Sequence, residues 1–281
     1  MKILRSLLIV VLFALVLPAI RGSISLSPVQ ETYGTSCVPV SGRTSIAWLH
    51  DLTMVARCNG YFVAQSVSNT VVFITSGTSY TVPSNFGTLV SIECLASGDA
   101  GATASGNSGA GGNGSYYAKI TTLAGIRPGT AYTIAIGAPT WFDSSTTVEA
   151  TTTAATGSLT YAGGAGAAGG TGGATDSGGG GGGSAGPAGA GSAGVIPTGG
   201  AADVYTWTAT AGGTASPGAG GNGGSATGAA GLSGANYGGG GGGGGYDSST
   251  SAAGAGGAGG AAIIVFTYTP NYWHWQPFGV W

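Results

Sequence analysis

Glycine, more than anything else in this sequence, limits what the chain can fold into. Residues 161–262 consist almost wholly of Gly and Ala, with Ser, Thr and an occasional aromatic, and include unbroken glycine runs at 178–183 and 238–245. Ordering a residue costs roughly 1–2 kcal/mol of backbone entropy. Glycine loses the most freedom and brings no side chain to bury. Such a stretch is either disordered or ordered by a backbone packing that only glycine permits. A flexible linker would be monotonous, whereas this segment is interrupted at Val195-Ile196-Pro197, at Val204-Tyr205-Thr206-Trp207 and at Leu232. Collagen requires Gly at every third position; the period holds at Gly183, Gly186 and Gly189 and fails at Ser192. A silk-like aggregate also fits the composition. The remaining alternative is a set of extended threefold helices, rising about 3.1 Å per residue, packed side by side and exchanging backbone hydrogen bonds. The polar and aromatic inserts would then be turns at the ends of the rods.

Composition removes several classes of function. Glycine supplies 60 of 281 residues and charged residues only 6%, against about 25% charged in an ordinary soluble domain. The chain is therefore not of the disordered type that depends on high charge. No Lys or Arg follows Arg127, so the carboxy-terminal half has no cations to neutralise phosphates, and no nucleic-acid partner is expected. Matches to G-x-G-x-x-G arise from glycine content alone, without the lysine that a phosphate loop needs. Residues 182–186 fit a nucleophile elbow formally, but no hydrophobic strand leads into them. The histidines are His50, beside Asp51, and His274, between Trp273 and Trp275. Three cysteines without C-x-x-C spacing do not suggest zinc. No enzyme, cofactor or metal site is expected.

The chain divides by composition. Residues 1–22 place Lys2 and Arg5 ahead of an apolar run at 7–20. That run is shorter than the ~20 residues of a spanning helix and suits a secretory h-region, so a signal peptide or an uncleaved membrane anchor is expected. Residues 23–70 form a small region with Trp48, Leu49, Leu52, Met54 and Val55 available for a core. Cys37 and Cys58 also lie there; in an exported chain a bridge between them would contribute ~3 kcal/mol, leaving Cys94 free in a strand. Residues 71–160 carry short β-branched or aromatic runs bounded by Gly, Pro, Ser or Asn, as in a sandwich or barrel. Within them Ser91, Glu93 and Leu95 alternate with Ile92 and Cys94, giving one apolar face. Residues 98–114 read as a small glycine loop between two strands. Residues 263–270 read as a closing strand, which makes 161–262 an insertion held at both ends. The expected fold is all-β: a small antiparallel sandwich with a long glycine-rich insertion, read as packed polyglycine II helices.

The aromatics in and beside the insertion are the candidate contacts. Tyr205, Trp207, Tyr237 and Tyr246 lie where glycine is too dense to bury them locally. Either they cap the rods as a small apolar staple, or they sit at exposed tips and stack on sugar rings or a protein surface. Asn236 and Asp247 would add hydrogen bonds. The tail, residues 271–281, holds Tyr272, Trp273, Trp275, Phe278 and Trp281. So apolar a segment either docks on its own chain or anchors to a partner or a membrane interface, with Trp273, Trp275 and Trp281 as the docking residues.

A set of local sequences carries a family likeness. They are Thr78-Ser79-Tyr80-Thr81-Val82-Pro83, Ile92-Glu93-Cys94 running into glycines, Tyr117-Ala118-Lys119, and Pro128-Gly129-Thr130-Ala131-Tyr132-Thr133-Ile134. Thr140-Trp141-Phe142, Tyr246-Asp247 after a glycine run, and the closing Ile263-Ile264-Val265-Phe266-Thr267-Tyr268-Thr269-Pro270 complete the series. In order and spacing these resemble the glycine-rich domain of bacteriophage tail-fibre and tail-tip proteins and of related prophage-encoded proteins. The resemblance implies a structural, host-contacting role, with polyglycine rods displaying receptor-binding loops in some members. The implied partners are a host surface glycan or outer-membrane protein, and a fellow virion protein or a second copy of the chain. The hydrophobic leader adds membrane contact, and with it an exported or cell-surface location beside the virion surface.

Overall fold

The computed structural model describes residues 68–170 and 175–271, together with three short strands nearer the amino terminus. Those strands, β1 (Cys37–Val38), β2 (Val55–Cys58) and β3 (Tyr61–Gln65), form an antiparallel sheet in the order β1-β3-β2. They belong to a separate compact unit, residues 1–67. The expected leader, the apolar cluster around Trp48 and the tail tryptophans Trp273, Trp275 and Trp281 lie outside the described residues. So do the side chains of Cys37 and Cys58, on which the expected bridge rests.

The second unit, from residue 68 onward, is all-β, with no helix among its described residues. Its first sheet contains β4 (Thr70–Ile74), β6 (Phe86–Leu95), β7 (Tyr117–Ile120), β12 (Leu159–Tyr161) and β18 (Ile263–Pro270). The second contains β5 (Ser79–Thr81), β8 (Ala131–Ala135), β9 (Thr140–Phe142), β10 (Val148–Ala150) and β11 (Ala155–Thr156). The orders are β12-β7-β6-β18-β4 and β11-β10-β9-β8-β5, with antiparallel pairing throughout. The last strand is inserted between β6 and β4, so the sheet closes only after the whole glycine segment has been made. The β-branched and aromatic composition of β18 suits this place, because both of its faces are covered and nearly every residue is buried.

Side-chain alternation sorts residues between two cores. Ile92 and Cys94 of β6 and Ile264, Phe266 and Tyr268 of β18 face the second sheet, where they meet Ile134, Phe142 and Val148. Phe266 is the hub: its ring lies 5.1 Å from Tyr80, 5.8 Å from Phe142 and 6.1 Å from Phe86. Burying each such ring contributes roughly 1.5–3 kcal/mol. On the opposite face Leu95, Ile263 and Val265 pack with Tyr117 and with Trp207 and Ala215. The last two come from a hairpin, β14 (Trp207–Thr208) and β15 (Thr214–Ala215).

Burial of ionisable groups in these cores predicts an alkaline limit to stability. Burial, reinforced by Glu93 and Glu149, raises the Cys94 thiol above its ordinary 9.0. Burial, followed by the neighbouring Tyr268, pushes the Tyr80 phenol from 10.0 to about 12. Burial and then Glu93 raise Tyr117 as well. A folded pKa above the unfolded value favours the folded state only while the group stays protonated. The thermal midpoint should therefore be level through neutral pH, begin to fall above about 9, and fall more steeply above about 10. A midpoint that stayed level to pH 11 would contradict this burial.

The glycine runs are ordered by hydrogen bonds that rotate around the chain. The N–H groups of Gly178, Gly179 and Gly180 donate to the carbonyls of Gly224, Gly109 and Val195. Those of Gly181, Gly182 and Gly183 donate to Gly221, Gly112 and Ser192. The set of neighbours repeats every third residue, and each partner advances or retreats by three. That is the pattern of a helix with three residues per turn. The second run behaves alike: Gly240, Gly241 and Gly242 donate to Gly182, Asp99 and Leu232, and Gly243, Gly244 and Gly245 to Gly179, Ala102 and Ala229. Both runs are buried along their full length. A Cβ on Gly181, Gly182 or Gly183 would overlap the carbonyl of Gly240, Gly164 or Ala201 respectively. Three successive positions thus face three different backbones, which no side chain could satisfy.

The structure alters the reading of residues 98–114. Asp99 and Ala102 on one side accept hydrogen bonds from the second glycine run and Gly101 donates to Gly257, while Gly109 and Gly112 on the other side exchange hydrogen bonds with both runs. This segment is not a separate loop but two further rods of the bundle. Alanine occurs in rods whose outer side faces solvent, as at the exposed Ala102, Ala110 and Ala165. Asparagines staple such rods together: the Asn113, Asn222 and Asn236 Oδ1 atoms accept the N–H of Gly166, Gly199 and Ala261 at 3.1, 2.9 and 2.8 Å.

Candidate functional site

Each rod reverses the chain direction, so the connections between rods fall alternately at two ends of the bundle. At the near end lie the strand ends at Leu95, Tyr117, Tyr161 and Ile263, the turn at 186–189, the hairpin region 204–215 and the turn at Asn236-Tyr237. At the far end lie the turns at 105–107, 195–198, 225–228 and 246–253. In the far-end turns β13 (Thr175–Asp176), β16 (Tyr246–Asp247) and β17 (Ala252–Ala253) make a short antiparallel sheet in the order β13-β16-β17. This small sheet ties the loops together where the rods stop.

The six residues expected at one set of tips are divided between these ends. Tyr246 and Asp247 lie at the far end, each half-buried and followed by exposed Ser248, Ser249 and Thr250. Asp247 Oδ1 accepts the Ser249 hydroxyl at 2.6 Å and its N–H at 2.9 Å. These bonds, the hydroxyl first, hold the carboxyl below the usual carboxylate range. Tyr205, Trp207, Asn236 and Tyr237 lie at the near end, against the sandwich. Trp207 is only 5% exposed and packs in the second core, with Tyr237 partly buried beside it. Asn236 is spent on the backbone of Ala261. Tyr205, at 43%, and Asn236 are the exposed members of this group. Trp207 and Tyr237 thus pack against the second core, whereas Tyr246 and Asp247 are half-buried in the small far-end sheet.

The residue that organises the near end, Glu93, is not among the expected contacts. Glu93 lies in β6 on the face turned away from the sandwich core, opposite Lys119 of β7. It is 6% exposed. Its Oε2 accepts the Tyr117 hydroxyl and the Trp207 Nε1–H, both at 2.9 Å. Its Oε1 accepts the Ser91 hydroxyl at 2.8 Å and lies 3.6 Å from Lys119 Nζ. Three hydrogen bonds and the nearby ammonium surround the carboxylate, which offsets the cost of burying so polar a group. The signal available in the sequence was a single carboxylate in an uncharged strand, with a Lys in the strand that follows.

Far end and near end therefore differ in kind: short exposed loops, polar except at Val195 and Ile196, at one, and a buried carboxylate clamping an aromatic hairpin to the sheet at the other. No family model matches this chain, and a comparison with curated proteins returned no match.

Proposed function

We propose that this chain is a structural, non-enzymatic display protein of a virion surface, tail-fibre-like or spike-like, that binds a host-cell receptor. The observation that carries the reading is the burial of both glycine runs as central rods, which leaves the polar far-end loops braced and exposed. A stiff support with no side chains inside it has an evident use in holding loops away from the body of a particle. The loops at 105–107, 225–228 and 246–253, rich in Ser, Thr, Asn and Asp and with Tyr246 among them, suit a surface glycan or an outer-membrane protein. The aromatic tail and the hydrophobic leader would serve attachment, to a fellow virion protein, a second copy or a membrane.

The test uses the full chain, fluorescently labelled, on a panel of intact bacterial cells with outer membranes. Binding to a subset of strains is expected, and the double variant Tyr246→Ala/Asp247→Ala should lose about tenfold or more in affinity with an unchanged thermal midpoint. If no strain binds, or the double variant binds as well as wild type, the receptor reading is overturned. A secreted or cell-surface glycine-rich structural protein without a specific ligand then takes its place.

A further inference from the structure

A groove of about 440 Å³ opens beside the Glu93 clamp, between the outer face of the first sheet and the chain at 205–208. We infer that this groove is a saccharide-binding site, separate from the far-end loops, in which a sugar ring stacks on Tyr205 and is hydrogen-bonded by Asn69 and Lys119.

Its volume is that of a small-molecule site. Its chemistry narrows the class of ligand. The floor is polar, formed by Ser91, Glu93, Lys119 and Thr267, and the only aliphatic walls are Val71 and Val90. A purely apolar ligand would desolvate those polar groups without replacing their hydrogen bonds. A strongly anionic ligand would meet one cation, Lys119, already facing the Glu93 carboxylate at 3.6 Å. A neutral ligand with many hydroxyls and one apolar face fits what remains.

The contacts are held in place before any ligand arrives. Tyr205 packs edge-on against Trp207, with centroids 5.4 Å apart at 70°, and Trp207 is itself fixed by its bond to Glu93. An aromatic ring so braced loses little freedom on binding, which favours affinity. Asn69 Oδ1 accepts the Thr269 hydroxyl at 3.0 Å, which leaves its amide N–H groups as donors. Lys119 Nζ has N–H groups beyond the one turned to Glu93. Thr206 and Thr208 also line the groove. The site does not depend on the far-end loops, so it stands or falls apart from the receptor reading above.

Saturation-transfer NMR on the full chain, with the methyl glycosides of glucose, galactose, mannose and N-acetylglucosamine as probes, tests the inference. At least one glycoside should show saturable transfer. Tyr205→Ala should weaken it about tenfold or more, and Asn69→Ala, a surface change that leaves the clamp alone, by severalfold. Tyr246→Ala at the far end should leave it unchanged. If none of the four probes binds, or if binding survives both Tyr205→Ala and Asn69→Ala, the site is not a saccharide site.

Discussion

Replacing Gly241 by valine is expected to lower the thermal midpoint of the second unit by roughly 6–12 °C, given about 2–4 °C per kcal/mol in a unit of this size. Gly241 is buried in the second central rod and donates its N–H to Asp99. A Cβ there would overlap the carbonyl of Gly257 and press on that of Ala258. Overpacking a core typically costs 1–3 kcal/mol, occasionally more, and here the obstacle is backbone, which cannot rotate aside as a side chain can. A value of about 3 kcal/mol or above is therefore expected. Gly189 supplies the control, because a Cβ there meets nothing within 4 Å. Gly189→Ala should be neutral or stabilise by about 0.4–1 kcal/mol through loss of freedom in the unfolded chain. Differential scanning calorimetry of the two variants separates a packed bundle from a solvated tether by opposite signs. An unchanged midpoint for Gly241→Val would dismiss the bundle.

The strands were readable because their physics is local. Alternation along 91–95 and the β-branched run at 263–270 both announce sheet, and β6 and β18 occupy those positions. The rods were readable as an alternative because glycine has so few other reasons to be ordered. Their extent was not. Residues 98–114 contain alanine, serine and asparagine, a composition equally suited to a loop, and only the rotating bonds to Gly241, Gly244 and Gly182 assign them to the bundle. Nor was the end at which each turn falls. The end at which a turn falls depends on how many rods precede it, and composition alone does not count them, so it does not tell a Tyr205 at the sandwich from a Tyr246 at the far tip.

The Glu93 clamp was hidden for a different reason. Its partner Trp207 lies 114 residues further along the chain, and the intervening glycine carries no pattern that reports how far it travels. A reader of the sequence sees an aromatic with nowhere local to bury itself. The answer is a hairpin that returns to the sheet, where Thr210 and Val71 exchange hydrogen bonds, the N–H of Val71 to Thr210 Oγ1 at 2.8 Å and the N–H of Thr210 to the Val71 carbonyl at 3.1 Å. The same bonds cover part of the exposed edge of β4, a place where an unpaired strand would otherwise invite association.

Removal of the Glu93 carboxylate should be the most damaging single change outside the rods. Glu93→Leu keeps the strand and the volume but leaves the Ser91 hydroxyl, the Tyr117 hydroxyl and the Trp207 Nε1–H without their acceptor. Each buried donor left unsatisfied costs about 1–3 kcal/mol. Water entering from the adjoining groove would recover part of that, so a net loss of about 3–5 kcal/mol is expected. Glu93→Gln retains one acceptor oxygen and should lose less, about 1–2 kcal/mol. Trp207→Phe keeps an aromatic ring and deletes only the donor and some ring area, so it should fall between wild type and Glu93→Leu. Because the two residues share one bond, the double variant Glu93→Leu/Trp207→Phe should be less damaged than the sum of the singles, by about 0.5–3 kcal/mol. Denaturant unfolding of the four proteins measures that coupling. Strict additivity would mean that the hairpin is held to the sheet by its apolar contacts with Leu95, Ile263 and Val265 and not by the carboxylate.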